Sequence, residues 1–197
     1  MAETSPRKKA KTGAKAAPLD LSGPPLSWTA TLNNGVKMPV VGFGTYKLKE
    51  GEAGSAIKHA LAAGYRLLDT AHVYCGGKME PIVGKAKTED VFLITKQWRG
   101  FHGHAETTKC LNQSLSRLKV DKVDLLLMHW PGPGYSAMGR SKERIAKEGI
   151  ECYFKKGHED IAAVRLETWR AMEDAYLAGT CGAIGVSNFS ESHLEKL

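Results

Sequence analysis

The 197-residue sequence has no apolar run near the roughly 18 residues that a membrane-crossing helix needs. Its longest apolar stretch, Val123 to Met128, already contains Asp124 and ends at His129. Cysteine is sparse: Cys75, Cys110, Cys152 and Cys181 are widely separated and form no C-x-x-C pair. That spacing excludes a zinc ribbon and a thioredoxin-type redox motif. No hydrophobic segment follows the basic N-terminus, so no secretory signal is expected. A reducing compartment, the cytoplasm, is therefore expected, with free thiols and no disulfides. His72, His102 and His104 lack the spacing of metal ligands and are read as packing or surface residues, with no metal site.

Charge of one sign is in modest excess. The formal net charge is +7, and the first 20 residues hold five basic and two acidic side chains. Residues 1–27 are expected to be a disordered basic tail, and residues 28–197 one domain. The run Arg7-Lys8-Lys9-Ala10-Lys11 has the composition of a nuclear-import signal, but a plain solvated tail is the commoner reading. It carries no interleaved aromatics and precedes no recognised nucleic-acid fold, so neither nucleic acid nor membrane is an expected partner. Glu173, Asp174 and the stretch 140–156 read as solvated surface.

What is there is an alternation. Thr29 to Leu32 and Val36 to Pro39 flank Asn33-Asn34-Gly35, the chemistry of a hairpin with a type I′ turn. Apolar strands follow at Val40–Gly44, Tyr65–Asp69, Val91–Thr95, Val123–Met128 and Cys181–Val186. Helical spacing separates them at Glu52–Ala63, Glu80–Lys87, His104–Leu118 and Arg165–Leu177, and a last helix begins at Ser190. An irregular charged stretch, 131–162, interrupts the order. Strands alternating with helices imply βαβ units and a parallel sheet. The first strand–helix turn, Gly42-Phe43-Gly44-Thr45, lacks the third glycine of a dinucleotide fingerprint, which weakens the doubly wound alternative.

A (β/α)₈ barrel explains a further feature: polar residues stand at the C-terminal ends of successive strands, where barrel sites are built. Asp69, Lys96, His129 and the pair Ser187-Asn188 occupy those ends, and Tyr74 follows the second. Lys96 and Asp69 would neutralise each other. An ammonium beside Tyr74 would bring its phenol down toward a working pKa, and His129 could orient a carbonyl oxygen. Such a set could protonate an oxygen as negative charge develops on it, as in carbonyl reduction by hydride. Ser187 and Asn188 suit a nicotinamide carboxamide.

The segments Val41-Gly42-Phe43-Gly44-Thr45-Tyr46, Leu68-Asp69-Thr70-Ala71-His72-Val73-Tyr74, Ile94-Thr95-Lys96, Met128-His129-Trp130-Pro131 and Ile184-Gly185-Val186-Ser187-Asn188-Phe189 together resemble the aldo-keto reductase family. The resemblance covers nearly everything after Trp28. It implies a (β/α)₈ TIM barrel, NADPH or less often NADH as cofactor, and reduction of aldehydes and ketones, so the expected partner is a small-molecule carbonyl substrate. By position, Tyr74 matches the proton donor, Lys96 the lysine that lowers its pKa, Asp69 that lysine's partner, and His129 the residue that orients the carbonyl. Ser187 and Asn188 match holders of the nicotinamide amide, with Gly44, Thr45 and Asp69 beside the cofactor. Tyr46, Trp98 and Trp130 match aromatic walls of the substrate pocket. The segment Cys75 to Met79 makes the loop before Glu80 longer than the family usually has.

Eight strand–helix units take about 250 residues, whereas the sequence from Trp28 onward holds about 170 and five strands. The expectation is thus an incomplete barrel of about five units with an N-terminal hairpin, and a shortened chain that does not grip NADPH tightly alone. The competing reading is a non-catalytic interaction or regulatory protein built on the same fold, against which the presence of both Tyr74 and Lys96 argues. Substrate identity and oligomeric state are not legible.

Overall fold

The computed structural model describes residues 19–132 and 161–197. The basic run at residues 7–11, Cys152, the stretch 140–156 and most of the irregular stretch lie outside the described residues. The chain opens with β1 (Leu19–Asp20), β2 (Thr29–Thr31) and β3 (Lys37–Pro39), a small antiparallel sheet in the order β1-β2-β3. There follow β4 (Phe43–Gly44), α1 (Glu50–Ala62), β5 (Leu67–Asp69), α2 (Met79–Ala86), β6 (Phe92–Gln97) and α3 (His104–Leu118). The described order ends with β7 (Leu125–Met128), α4 (Ile161–Leu177), β8 (Ile184–Val186) and the short α5 (Glu191–Leu194). Strands β4 to β8 form one parallel sheet in chain order, the arrangement of a partial (β/α)₈ barrel.

Three details differ from the sequence reading. The hairpin is extended by β1, which lies inside the stretch read as tail: Leu19 pairs with Ala30 and Asp20 with Thr29. The hairpin turn is not type I′, because Gly35 alone takes a positive φ, 89°. A three-residue loop forms instead, with Leu32 N–H donating to Val36 O and Gly35 N–H to Leu32 O. The reason is tertiary: Asn34 donates its side-chain amide to Gly182 O at 2.9 Å and accepts from Val36 N–H, tying the turn to the sheet. Strands β7 and β8 are also shorter than their apolar runs, with Val123 and Cys181 joined by an isolated parallel bridge.

The helix ends follow from local chemistry. Gly64, at φ 101°, closes α1 with two bonds, Gly64 N–H to Leu61 O and Tyr65 N–H to Ala60 O. The same pair recurs after α4 at Gly179 and Thr180. Both are Schellman endings, which glycine makes without steric cost.

Side chains on a strand alternate between faces, and here the alternation divides the core in two. Leu68, Leu93, Leu126 and Met128 point outward to Ile57, Val83, Leu111, Leu118 and Met172 of the helices. Leu67, Phe92, Ile94, Leu125 and Ala183 point inward, where Leu32, Val36 and Met38 of the hairpin cover them. The antiparallel sheet is thus a plug over one end of the inner face. The outer layer is close-packed enough that a Cβ at Gly84 of α2 would stand 2.3 Å from the Leu118 carbonyl oxygen.

Candidate active site

The inward parity that puts Leu67, Ile94, Leu125 and Ala183 in the plugged core carries forward along each strand. Two residues on from Leu67 is Asp69, two on from Ile94 is Lys96, and four on from Leu125 and Ala183 are His129 and Ser187. All four therefore arrive at the unplugged end of the sheet. They line a cleft of about 650 Å³ together with Tyr74, Trp98, Trp130 and Asn188, and Tyr46 forms its exposed rim.

Lys96 is the centre of the arrangement. Its Nζ donates to both carboxylate oxygens of Asp69, at 2.6 and 2.7 Å, and to Thr70 O at 2.9 Å. It also donates to the Tyr74 hydroxyl oxygen at 3.4 Å. Because that oxygen accepts, the phenol's own hydrogen is left to donate elsewhere. Burial holds the Lys96 ammonium below the ordinary lysine value, opposed by the charge and hydrogen bonds of Asp69.

The expected lowering of Tyr74 by Lys96 is not what the geometry produces. Burial, reinforced by the charge of Asp69 and by Tyr46, pushes Tyr74 up to about 12. Tyr74 is accordingly fully protonated at neutral pH, the state a proton donor requires.

His129 sits among three aromatic rings, with Trp98 at 5.3 Å, Tyr74 at 5.8 Å and Trp130 at 6.3 Å between centroids. Burial pushes its pKa down to about 4, and the charges of Lys96 and Arg99 add to the effect. The imidazole is neutral at neutral pH, and its buried Nδ1 has no hydrogen-bond partner among the described residues. Asn188 follows in the left-handed region, φ 59°, which asparagine tolerates better than most residues. Its Nδ2 donates to His129 O at 2.9 Å and to Ser187 Oγ at 3.0 Å.

Gly44 and Thr45, expected beside a cofactor, are not among the residues that line the cleft. Thr45 is buried and donates both N–H and Oγ1 to Asp69 O, each at 2.9 Å, so it anchors the aspartate from behind. Lys47, Leu48, Val73, Cys75 and Arg99 also line the cleft and were not singled out from the sequence. For Arg99 a signal existed: it lies three residues past Lys96, at the strand end, and its guanidinium stands over the Trp130 ring at 5.0 Å. His72 meets Gln113, His102 meets Thr168 and His104 meets Asp174. Cys75 and Cys181 are free thiols, the first exposed and the second buried. Among the described residues no helix is long and apolar enough to cross a membrane.

Comparison with known proteins gives the same direction. Glyoxal reductase of Bacillus subtilis is 36% identical over 176 residues, which is 86% of this chain and 52% of that protein. Aldo-keto reductase family 1 member A1 of Homo sapiens is 32% identical over 179 residues, 84% of this chain and 51% of that protein. The crystal structure of an aldo/keto reductase from Brucella melitensis superposes with a TM-score of 0.67 at 35% identity, covering 86% of this chain and 55% of that one. The chain therefore spans about half the length of the curated relatives it matches. Since the Aldo/keto reductase family itself matches residues 40–197, most of the sequence, the chain belongs to that family.

Proposed function

We propose that this protein reduces small aldehydes or ketones to alcohols with a nicotinamide cofactor, Tyr74 giving the proton. The observation that carries the reading is the line Asp69–Lys96–Tyr74, ending in a phenol whose hydrogen meets no acceptor among the described residues and which faces a cleft shared with His129.

The roles follow from the geometry. A buried N–H without an acceptor costs more than a buried lone pair, so the unpartnered Nδ1 of His129 is the bare nitrogen and Nε2 carries the proton. Nε2–H then donates to the carbonyl oxygen and orients it. Tyr74 donates to the same oxygen as negative charge develops there, which strengthens both hydrogen bonds. Lys96 donates to the Tyr74 oxygen, so it stabilises the phenolate left when the proton moves. Asp69 keeps Lys96 in place, and Thr45 keeps Asp69 in place. Trp98 and Trp130 shield the site from water around His129.

The donor set at the cleft also fits a carboxamide. Asn188 uses its amide hydrogens on His129 O and Ser187 Oγ, so its side-chain oxygen is left to accept and the Ser187 hydroxyl to donate. Those two residues would hold the nicotinamide amide. Reduced nicotinamide, when bound, supplies the hydride. NADPH is the favoured form, with NADH the alternative. One relative, 36% identical, bears the name glycerol 2-dehydrogenase (NADP(+)). A reducing compartment such as the cytoplasm suits the free thiols of Cys75 and Cys181.

Carbonyl-dependent loss of reduced-nicotinamide absorbance tests the reading. In a form with all eight strand–helix units the unsubstituted protein is expected to turn over, and Tyr74→Phe to lose turnover while NADPH binding, followed by fluorescence, stays nearly intact. Full activity in Tyr74→Phe would remove Tyr74 from the acid role. Cofactor binding without turnover in the unsubstituted protein would favour the non-catalytic reading.

A further inference from the structure

Tyr74 reaches Lys96 only because the loop after β5 turns back over the sheet end. Within that loop Cys75, Gly76 and Gly77 are all left-handed, with φ of 52°, 65° and 89°. A non-glycine residue in that region costs about 1 kcal/mol or more, so local preference does not hold the run. Arg117, near the end of α3, does. Its Nη1 donates at 3.2 Å to the carbonyl of His72, before Tyr74, and faces Glu80 Oε2, after Tyr74, at 3.5 Å. Gly77 lies on the same guanidinium, where a Cβ would stand 3.2 Å from Nη1 and 3.4 Å from Cζ. One planar group thus touches the loop before, within and after its left-handed run.

Glu80 carries the connection onward. It is fully buried, and its Oε1 accepts from Thr95 Oγ1 at 2.8 Å. Thr95 immediately precedes Lys96 on β6, so its side chain lies behind the sheet while that of Lys96 enters the cleft. Directed hydrogen bonds select one loop position where apolar packing of the same volume would permit several. Neither Arg117 nor Glu80 lines the cleft.

We propose that Arg117 and Glu80 are positioning residues: together they clasp the Tyr74 loop to the Lys96 strand and set the phenol against the ammonium. The inference rests on the reductase reading for its catalytic consequence. The gap it maintains is the 3.4 Å between Lys96 Nζ and Tyr74 Oη, and displacement on the ångström scale is costly for a group that must transfer a proton.

The test compares the full chain with Arg117→Met, Thr95→Val and Thr95→Ser, by two measurements: backbone hydrogen exchange over residues 72–79, and steady-state carbonyl-dependent NADPH oxidation. In Arg117→Met and Thr95→Val, exchange of that loop is expected to quicken by about 10-fold or more, with the rest of the chain unchanged. Both should lower kcat by about 10- to 100-fold and leave KM for the carbonyl within about 2-fold. Thr95→Ser, which keeps the hydroxyl, should restore both. Unchanged loop exchange with unchanged kcat overturns the proposal. So does a loss of kcat that comes with faster exchange throughout the chain, since that is a structural role alone. If the unsubstituted chain shows no turnover, the exchange measurement by itself still decides the clasp.

Discussion

Two carboxylate–cation pairs stand on opposite sides of β6, one residue apart along the strand, and they are built in opposite senses. In front, the cation is enclosed and the carboxylate reaches toward the cleft: the side chains of Lys96 and Asp69 are 7% and 30% exposed. Behind, the carboxylate is enclosed and the cation reaches outward, with Glu80 at 0% and Arg117 at 32%. The front pair therefore offers its ammonium to a phenol that faces the cleft. The back pair directs its bonds into the protein, onto Thr95 and the His72 carbonyl. In the proposed reaction, chemistry of one kind would serve reactivity on one face of the sheet and placement on the other.

Substitutions on the two faces should separate these roles. The largest effect is expected from Lys96→Met, which leaves Asp69 facing the phenol with no cation between them. Turnover should fall by about 10³-fold or more, read by steady-state kinetics, and a smaller loss would mean that the front pair is as structural as the back one. On the outer face, Leu126→Ala removes a side chain only 1% exposed and should cost about 3 kcal/mol of stability. Denaturant unfolding measures this, and kcat of the folded fraction should be unchanged; a parallel fall in kcat would erase the division between faces.

Acid gives a third probe. The folded pKa of His129 is about 4, below its ordinary value of 6.5, and burial also lowers that of His72. Below pH 6.5 the unfolded chain binds protons that the folded chain does not. Stability is therefore full above that value and falls between pH 6.5 and 4, by an amount on the order of 3 kcal/mol for His129. Unfolding midpoints measured across that range should show the decline, and His129→Gln should flatten it. A flat profile in the unsubstituted protein would mean that His129 is more hydrated than its aromatic surroundings suggest.

Much of the site was legible because its residues announce themselves locally. Asp69, Lys96, His129 and Ser187 each end an apolar run, and a parallel sheet brings such ends together whatever the exact strand limits. Tyr74, Trp98 and Trp130 lie within a few residues of those ends. The departures from the sequence reading have a common cause. Thr45 follows a strand end like the others, yet it faces the Asp69 carbonyl and not the cleft. The Asn-Gly turn took another form because Asn34 is bound by Gly182, far along the chain. The phenol rises where a neighbouring lysine alone would lower it, because depth of burial and the Asp69 charge outweigh the lysine.

The sequence by itself determined the order of strands and helices, the glycine endings of α1 and α4, and the set of polar residues delivered to one end of the sheet. These depend on spacing and on conformational preferences that act within a few residues. Only the tertiary structure decided which face each strand residue takes, how deeply Tyr74 and His129 are buried, and that Arg117, Glu80 and Thr95 meet behind the sheet. Those outcomes depend on contacts between positions 15 and 37 residues apart, whose energies arise only once helices and sheet have packed and water has left between them.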